Sequence, residues 1–479
     1  MMDLAVPIDR SLPRSLSQQV ADGLRRLVED GALRPGESIP SSRELAAWLG
    51  VGRNTVITAY EQLVDSGHVT IEPRRRPFVT VGLTPRGAQG AVLARRAPDA
   101  LPGQSLSRRL GPSYDLGPEL SYDFRVGTPD VSAFPQHAWL GAYRAALNSP
   151  ALLYPHDARG SARLRAAIAA QLVRSRAMPV AAEDIVITTG TQQGLALATR
   201  FVMQGGGRLL MEDPGYRTGR RLFTALGAHI VPVPVDDGGL ITDRLPPARL
   251  IYVTPSHQFP LGGVMPLQRR QELLLWAERH AAYILEDDYD GEFRFGLPPL
   301  PTLQGLDGAG RTFYLGTISK VLAPGLRLGY LVTPPAFGLG LARYRDLFER
   351  TPDGVSQEAL ATLIETGAFD AHLRRMRRVY SARRETAQAV LNQNLPPGWH
   401  IAGSAAGLHL PVVYDGPGTP DLEPVRMKLR SRGVLVETLK PYSMTASLTG
   451  LVIGYGALTE QALETGLLHV CRALREADS

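Results

Sequence analysis

One lysine in the sequence is a candidate for covalent chemistry. Lys320 follows a β-type apolar run at residues 312–315 and a polar turn, and a second β-type run begins at Leu326. The chain has 52 Lys and Arg residues, and only three of them are lysines. Because arginine supplies charge almost everywhere else, a lysine kept in a Ser/Thr-lined turn favours amine chemistry. The alternative is a solvated lysine in a surface loop.

The residues around this lysine are suited to a phosphate group. Thr317, Ser319 and Arg327 surround it with two hydroxyls and a guanidinium, which together can bind a phosphate dianion. An amine beside a phosphate site indicates an aldehyde cofactor that is bound as a Schiff base.

The elements that must position these residues follow an α/β pattern. Between β-type runs lie helical patterns at 191–204, 217–226 and 267–280. This alternation predicts a buried, mainly parallel sheet with helices on both faces. Ligands of such sheets bind at the carboxyl ends of the strands. The predicted strands are 185–189, 208–211, 229–235, 249–254, 283–286, 312–315 and 328–332.

Further polar groups follow these strands. Gly190, Thr191 and Gln192 open a helix, where free N–H groups face a phosphate. Tyr216 follows the second strand and is able to stack on a planar ring, although an ordinary turn tyrosine is the alternative. Together with the lysine and the acidic run described next, these groups predict pyridoxal 5'-phosphate.

An acidic run at residues 286–290 follows the fifth strand. A buried Asp at a strand end is costly unless it is paired, and a protonated pyridine nitrogen would pair it. The alternative is a metal site, because Asp-rich strand ends also bind magnesium. Because we expect pyridoxal phosphate at this acidic run, we expect no metal ion there.

Composition limits the class of protein. A length of 479 residues predicts two or three domains, and 44% hydrophobic with 20% charged residues is typical of soluble globular proteins. A single cysteine, Cys471, excludes an intrachain disulfide. No stretch approaches the roughly 20 apolar residues of a membrane helix, and the first residues do not resemble a signal peptide. We therefore expect a cytoplasmic protein without membrane contacts. The net charge of +6 hints at an anionic partner.

Residues 1–81 predict a winged helix-turn-helix. Capping boxes begin at Ser15 and Ser41, and a third helix is expected over 53–65 with Val64 among its inward residues. Two short β-type runs, 68–71 and 78–81, complete the pattern. The alternative is a helical protein-interaction domain, because ten arginines balance ten acidic residues over residues 1–80.

Arg, Asn and Thr at the start of the third helix suit base edges and phosphates, and three arginines at the wing tip suit the DNA backbone or minor groove. After this unit, residues 82–120 are rich in Gly, Pro, Ala, Ser and Arg and predict a flexible linker. The predicted DNA-binding residues are Ser42, Arg43, Arg53, Asn54, Thr55, Arg74, Arg75 and Arg76.

Residues 33–56, LRPGESIPSSRELAAWLGVGRNTV, resemble the GntR-type winged helix. Two positions depart from that family's pattern. Gly52 replaces the usual serine of the turn, and the wing carries three arginines in place of a Gly-x-Gly.

Residues 121–479 resemble a fold-type-I aminotransferase, and the whole chain resembles the MocR branch of GntR regulators. The resemblance is carried by DFRVGTPD at 123–130, QQGL at 192–195, DPGY at 213–216, TPSHQFPLG at 254–262, EDDYD at 286–290 and Ser319-Lys320. It implies an N-terminal winged helix joined to an α/β aminotransferase-like domain.

The resemblance also implies roles for single residues. Lys320 forms the internal aldimine with pyridoxal phosphate, and Asp287 pairs with the pyridine nitrogen, with Asp288 as the alternative. Tyr289 hydrogen-bonds the ring hydroxyl and Tyr216 stacks on the ring. Tyr154 resembles the tyrosine that reaches a neighbouring subunit's phosphate. The phosphate is held by Gly190, Thr191, Gln192, Thr317, Ser319 and Arg327.

Two departures from the aminotransferase pattern argue against ordinary transamination. The stretch His257–Gly262 has no Asn where the family places one beside the ring hydroxyl, and residues 443–455 lack the Arg that clamps a substrate carboxylate. Arg217 and His257 are the candidate effector contacts.

The implied function is a pyridoxal-phosphate-dependent transcriptional regulator, not an enzyme, that binds double-stranded operator DNA. Its effector is a small amine or amino acid, or the cofactor itself. The family forms head-to-tail, domain-swapped homodimers. The alternative is a working aminotransferase with an accessory N-terminal domain.

Overall fold

The computed structural model describes residues 6–73, 75–81, 120–150, 157–295, 300–403, 406–445 and 448–477. The chain divides into two compact units, residues 1–107 and 108–479. The division between the units falls inside the predicted linker, residues 82–120. Residues 82–119 of that linker lie outside the described residues. The predicted domain boundaries at 81 and 121 stay predictions.

The N-terminal unit is a three-helix winged helix. Its helices are α1 (Leu16–Glu29), α2 (Ser42–Leu49) and α3 (Arg53–Asp65), and its hairpin pairs β1 (Val69–Thr70) with β2 (Phe78–Val79). Apolar residues of all three helices and both strands form one core, for example Leu24, Leu45 and Val56. The predicted winged helix-turn-helix is therefore confirmed.

The ends of these helices follow from local chemistry. Ser41 and Glu44 form the predicted capping box, and Gly50 ends α2 in the left-handed conformation at φ 61°. Gly52 caps α3 without a side-chain hydrogen bond. Replacing serine by glycine at such a position costs only a few tenths of a kcal/mol. The prediction that Val64 points inward was wrong, because its side chain is 40% exposed.

The C-terminal unit is built on a mixed sheet of eight strands in the order β4-β11-β10-β9-β8-β5-β6-β7. Strands β10, β9, β8, β5 and β6 pair in parallel, whereas β11 runs antiparallel to both of its neighbours. The strands are β4 (Ile185–Thr188), β5 (Arg208–Asp213), β6 (His229–Asp236), β7 (Gly239–Leu240), β8 (Leu250–Val253), β9 (Tyr283–Asp288), β10 (Thr312–Thr317) and β11 (Gly329–Val332).

Helices cover the large sheet, as the strand–helix alternation predicts. Apolar residues of strands and helices pack in three clusters, which contain Ile187, Leu315 and Ile251, respectively. The helices of this unit are α4 (Gln136–Leu147), α5 (Ala162–Arg176), α6 (Thr191–Val202), α7 (Arg217–Ala225), α8 (Leu267–Arg279), α9 (Leu303–Leu306), α10 (Phe337–Asp346), α11 (Gly354–Glu365), α12 (Ala368–Asn394), α13 (Leu422–Ser431) and α14 (Glu460–Arg475).

A smaller antiparallel sheet in the order β12-β13-β16-β15 forms the C-terminal part of this unit. Its strands are β12 (Trp399–Ile401), β13 (His409–Tyr414), β15 (Glu437–Thr438) and β16 (Thr449–Gly454). Strand β3 (Tyr122–Asp123) pairs in parallel with β14 (Val434–Leu435) and so joins the start of the unit to its end. Among the described helices, none is long and apolar enough to cross a membrane.

Candidate functional site

The register of three neighbouring strands brings the predicted phosphate-binding residues to one edge of the large sheet. Thr317 of β10 pairs with Gly329 of β11, and Gly329 pairs with Thr188 of β4. The turns that leave β4 and β10 and the turn that enters β11 therefore start side by side. These turns carry Gly190, Thr191, Gln192, Thr317, Ser319 and Arg327.

The turn geometry fits an anion. Gly190 begins α6 at φ 114°, a conformation that side-chain-bearing residues rarely adopt, and a Cβ there would meet no atom within 4 Å. The N-terminus of α6 opens at this glycine, where the helix dipole favours negative charge. Arg327 is exposed in the left-handed conformation, at φ 51°, and its guanidinium makes no hydrogen bond or ion pair to the described residues. Its guanidinium is available to a phosphate, and the phosphate roles stay predictions.

The surroundings of the Lys320 amine favour the form that covalent chemistry requires. Its Nζ donates a hydrogen bond to the Gly127 carbonyl. Burial lowers the pKa of Lys320, and the negative charges of Asp290 and Asp287 oppose that shift only in part. A lowered pKa increases the share of the neutral amine, which is the nucleophilic form.

The two neighbouring aspartates of β9 differ in their partners. Asp288 forms a buried ion pair with Arg176 at 2.9 Å and accepts a hydrogen bond from the Tyr314 hydroxyl at 2.7 Å. Asp287 has no ion pair, although it accepts a hydrogen bond of 2.8 Å from the Tyr252 hydroxyl. Each carboxylate leaves its Oδ1 buried without a hydrogen bond.

The pKa values of these aspartates shift in opposite directions. Burial raises the pKa of Asp287 to about 7. Burial acts in the same direction on Asp288, but the positive charges of Arg176 and Arg294 outweigh it and hold the Asp288 pKa below its ordinary value. Asp287 is therefore the buried carboxylate that lacks a cation, and a protonated ring nitrogen would supply one. This favours Asp287 over Asp288 for that role.

An aromatic layer lies above the same strand ends. Tyr216 receives a hydrogen bond of 2.9 Å from Gln192 Nε2, and its ring is stacked with that of Tyr252 at 6.4 Å and 28°. Tyr216 is partly exposed, whereas Tyr252 is buried. The stacking role of Tyr216 stays a prediction.

Tyr289 lies in a buried polar cluster rather than in an isolated turn. Its hydroxyl is 2.8 Å from His257 Nδ1, and the same nitrogen is 3.0 Å from Asp290 Oδ2. His409 lies beside His257, with ring centroids 4.9 Å apart. Burial and the neighbouring His257 lower the pKa of His409 to about 3, so its imidazole is neutral.

The magnesium alternative for the acidic run finds little support in this geometry. Asp287 and Asp288 have hydroxyl or guanidinium partners, and magnesium prefers a shell of oxygen ligands with several waters. Within the described part of the chain, the only group with metal-type spacing combines Asp290 with His257 and His409, whose ligand atoms lie within 4.8 Å of one another.

The two predicted effector contacts differ in exposure. Arg217 is exposed at the start of α7 and its guanidinium makes no hydrogen bond or ion pair to the described residues, although Glu437 is close enough to interact with its charge. His257 is only 2% exposed and faces Asp290 and Tyr289. Both effector roles stay predictions, and the burial of His257 favours a supporting role.

The segment that lacks the usual carboxylate-binding Arg makes structural contacts through its backbone. The backbone N–H groups of Met444 and Thr445 donate hydrogen bonds of 2.6 and 2.7 Å to the Asp213 carboxylate. Arg220 donates to the carbonyls of Pro441 and Ser443 at 2.9 and 3.1 Å. These contacts hold the segment against the turn after β5.

The winged helix presents most of its predicted DNA-binding residues to solvent. Arg43, Arg53 and Asn54 are exposed and Thr55 is partly buried. Arg53 Nε lies 3.4 Å from the Ser42 hydroxyl, so the starts of α2 and α3 meet.

The wing arginines have acidic partners. Arg76 pairs with Glu44 at 2.7 Å and Arg75 with Glu72 at 2.9 Å. Exposed pairs of this kind are worth about 0–1 kcal/mol, so DNA phosphates can compete for these arginines. Arg74 lies outside the described residues, and all the individual DNA contacts stay predictions.

Comparisons with known proteins agree with both units. Residues 16–79 match the family "Bacterial regulatory proteins, gntR family", and residues 123–467 match "Aminotransferase class I and II". The chain is 34% identical over 480 residues to the HTH-type pyridoxine biosynthesis transcriptional regulator PdxR of Corynebacterium glutamicum, which covers 99% of each chain. It is 35% identical over 470 residues to the probable rhizopine catabolism regulatory protein MocR of Rhizobium meliloti, covering 96% of this chain and 94% of that protein.

The chain belongs to the MocR branch of the GntR-type transcriptional regulators. This confirms the family, the multidomain fold and the DNA-binding regulator expected from the sequence. The MocR-type chain is also similar to the crystal structure of LysN, an α-aminoadipate aminotransferase from Thermus thermophilus complexed with N-(5'-phosphopyridoxyl)-L-leucine. That similarity has a TM-score of 0.67 at 27% identity and covers 74% of this chain and 92% of LysN. The aminotransferase class I and II domain supports pyridoxal phosphate as the cofactor.

Sequence reasoning missed several residues of this MocR-type site. Tyr252 and Arg176 were not singled out, because each acts through a contact between distant elements. Gly127 lies in the motif at 123–130, but nothing in the sequence indicates that its carbonyl contacts Lys320. Tyr154 lies outside the described residues, so its predicted role stays untested.

Proposed function

We propose that the C-terminal domain of this MocR-type regulator binds pyridoxal phosphate covalently through Lys320 and uses it to sense a small amine. The observation that carries the proposal is that two groups with shifted pKa values, a partly buried amine and a buried carboxylate, occur in the same domain near neighbouring strand ends. Lys320 is a lysine with a lowered pKa, and Asp287 is a carboxylate with a raised pKa and no cation partner. Pyridoxal phosphate supplies an aldehyde for the amine and a basic ring nitrogen for the carboxylate.

We infer that the domain senses its ligand rather than turning it over. Residues 443–455 contain no Arg, and the backbone of this segment is bound to Asp213 instead. Without a guanidinium clamp at this position, an α-amino acid loses a bidentate contact that orients it for transamination. An amine that displaces Lys320 from the cofactor would release the lysine side chain. Such a change alters operator affinity only if the two states of the protein bind DNA differently.

The proposal includes a head-to-tail homodimer that acts in the cytoplasm. A linker of about 40 residues is long enough to let the winged helix of one chain reach a second chain. Size-exclusion chromatography with light scattering tests the dimer, which a monomeric mass at micromolar concentration would contradict.

A second candidate is a regulator that responds to pyridoxal phosphate itself. The similarity to the Corynebacterium glutamicum regulator of pyridoxine biosynthesis, at 34% identity, favours it. In this case the covalent attachment at Lys320 is the signal, and no amine is needed.

The deciding experiment is a DNA-binding titration on the chain's own upstream region. Wild type, Lys320→Ala and the control Lys440→Ala, which removes an exposed lysine, are each titrated with and without pyridoxal phosphate and then with amines. A cofactor-dependent change in DNA affinity that Lys320→Ala loses and Lys440→Ala keeps supports the proposal. If that change needs no amine, direct sensing of the cofactor is correct. Specific DNA binding that ignores the cofactor contradicts both candidates.

A further inference from the structure

The aminotransferase motif Asn-Pro-x-Gly falls on residues 259–262, so an apolar residue, Phe259, stands where that motif has its asparagine. The polar side chains that precede it are His257 and Gln258. Gln258 does not face the site, because its Nε2 donates to the carbonyls of Pro214 and Phe259 at 2.9 and 2.7 Å and its Oε1 accepts from the Leu261 N–H at 3.0 Å. The Gln258 amide therefore binds the backbone of its own loop and of the turn after β5. The neighbouring His257 is the residue that contacts Tyr289.

The position of one nitrogen defines the direction of these hydrogen bonds. His257 Nδ1 lies 3.0 Å from the Asp290 carboxylate and 2.8 Å from the Tyr289 hydroxyl. A lone pair on Nδ1 would face the carboxylate oxygen and repel it, so this nitrogen carries the proton. This single N–H is shared between the Asp290 carboxylate and the Tyr289 oxygen, and a Tyr289 oxygen that accepts from it keeps its phenolic proton for donation elsewhere.

The surroundings prevent the imidazole from changing its orientation. His257 and Asp290 are each about 2% exposed in their side chains. A Cβ on Gly407 would lie 2.2 Å from His257 Nδ1 and 2.5 Å from Asp290 Oδ2, so backbone closes one side of the pair. The Leu408 N–H donates a hydrogen bond of 3.3 Å to Asp290 Oδ2 and holds that carboxylate.

We propose that His257 and Asp290 are positioning residues that orient the Tyr289 hydroxyl as a hydrogen-bond donor toward the cofactor, in place of the absent asparagine. The proposal rests on the cofactor binding proposed above. The dyad does not contact the effector, and it acts only through Tyr289. A histidine oriented by a carboxylate is a common way to fix which nitrogen bears the proton.

A double-mutant cycle on apo protein reconstituted with pyridoxal phosphate tests the dyad. The variants are His257→Leu, Tyr289→Phe and the double variant, and the readouts are the dissociation constant of the cofactor and the visible absorption spectrum of the bound form. Each single variant is expected to weaken cofactor binding by roughly 10- to 100-fold, as removal of supporting contacts does at other sites. The double variant is expected to match Tyr289→Phe within about threefold.

Three controls separate the outcomes. Tyr380→Phe removes a buried hydroxyl outside the cluster and is expected to leave affinity and spectrum unchanged, and circular dichroism of the apo variants checks folding. Asp290→Asn keeps an acceptor for Nδ1–H and is expected to show a smaller loss of cofactor affinity than His257→Leu.

Independent, multiplicative losses of affinity from His257→Leu and Tyr289→Phe would overturn the dyad while leaving cofactor binding intact. Absence of cofactor binding by wild type would overturn the proposed function itself. Stoichiometric zinc binding by wild type that His257→Leu abolishes would show a metal site instead, and would also overturn the dyad.

Discussion

The Tyr252 hydroxyl donates a hydrogen bond of 2.8 Å to Asp287 Oδ2, while Asp287 Oδ1 is buried without a partner. Tyr252 therefore provides a hydrogen bond to one of the two oxygens of a carboxylate that has no ion-pair partner. The adjacent Asp288 has a buried guanidinium at 2.9 Å. The two neighbouring carboxylates thus differ in their partners, and Asp287 is the one that we propose as the ligand contact.

This difference predicts opposite effects of Asp287→Asn on stability and binding. In apo protein the pKa of Asp287 is raised to about 7 from an ordinary value of 3.8. The stabilising effect of its protonated form is complete below about pH 4 and is lost as the pH rises through about 7. At pH 8 the buried charge is uncompensated, so Asn is expected to stabilise the apo protein by roughly 1–3 kcal/mol.

The measurement is urea unfolding of cofactor-free protein at pH 5 and pH 8. The gain from Asp287→Asn is expected at pH 8 and is smaller at pH 5. Glu212 and Glu286, whose pKa values burial also raises to about 7, are present in both proteins, so their effects cancel in the difference.

The Asp287→Asn variant is also expected to bind pyridoxal phosphate roughly 10- to 100-fold more weakly, since an amide cannot form an ion pair with a cationic nitrogen. Unchanged affinity would contradict the role of Asp287.

Arg176→Met is expected to destabilise the protein at neutral pH, because it leaves Asp288 as a buried charge without a partner. Both side chains are almost fully buried, at 4% and 0% exposure. Breaking a buried pair by removing one member typically costs 3–5 kcal/mol, so a loss of about that size is expected in urea unfolding. The double variant Arg176→Met with Asp288→Leu is the control and is expected to recover much of the loss. A full loss in the double variant would contradict an electrostatic cause.

The sequence was sufficient to predict the winged helix and most strands of the large sheet, but not the pairing of the polar groups. The strands that position the site were predicted within two residues at each end, because apolar runs and their turn residues are local signals. The antiparallel direction of β11 could not be predicted, since its apolar run is the same in either direction. The C-terminal sheet has short strands whose partners are distant in sequence, such as Tyr414 with Thr449.

Side-chain partners depend on register, which the sequence does not show. Asp287 and Asp288 look alike in the sequence, and only the packing of Arg176 against one of them separates their roles. His257 was predicted as an effector contact because it follows a strand, whereas the fold buries it against Asp290. Exposure of the winged-helix residues was easier to predict, since Arg53 and Asn54 follow a helix cap.

Arg53→Ala is expected to weaken binding to operator DNA. Arg53 is exposed at the first turn of α3 and is supported by the Ser42 hydroxyl at 3.4 Å. If Arg53 contacts a phosphate, the slope of log affinity against log salt concentration is expected to become shallower by about 1. If Arg53 contacts a base, the binding free energy is expected to weaken by about 1–3 kcal/mol for the specific site only. Arg26→Ala, an exposed change on α1, is the control. Equal effects of both variants would contradict a specific role for Arg53.

Arg217→Leu is expected to separate acidic from simple amine effectors. Its guanidinium is exposed and makes no hydrogen bond or ion pair to the described residues. If it binds a carboxylate or sulfonate, Arg217→Leu raises the concentration of an acidic amine needed for half-maximal change in DNA affinity by roughly tenfold or more. The response to an amine without an acidic group is expected to stay the same. An equal effect on both amines, or none on either, would show that Arg217 does not recognise the acidic group.

Gly127→Ala is expected to impair attachment of the cofactor to Lys320. Gly127 has φ 72°, and a Cβ there would lie 2.5 Å from Lys320 Nζ. The left-handed conformation costs a residue with a side chain roughly 1–2 kcal/mol, which urea unfolding of apo protein would measure. The methyl group also displaces the lysine amine from the Gly127 carbonyl that orients it. Covalent attachment, measured by borohydride reduction and mass spectrometry of the Lys320 peptide, is therefore expected to be slower than in wild type.

Gly367→Ala is the matched control, since Gly367 has φ 75° and a Cβ there would meet no atom within 4 Å. It is expected to lose similar stability but to attach the cofactor at the wild-type rate, and equal rates in both variants would contradict the contact between Gly127 and Lys320.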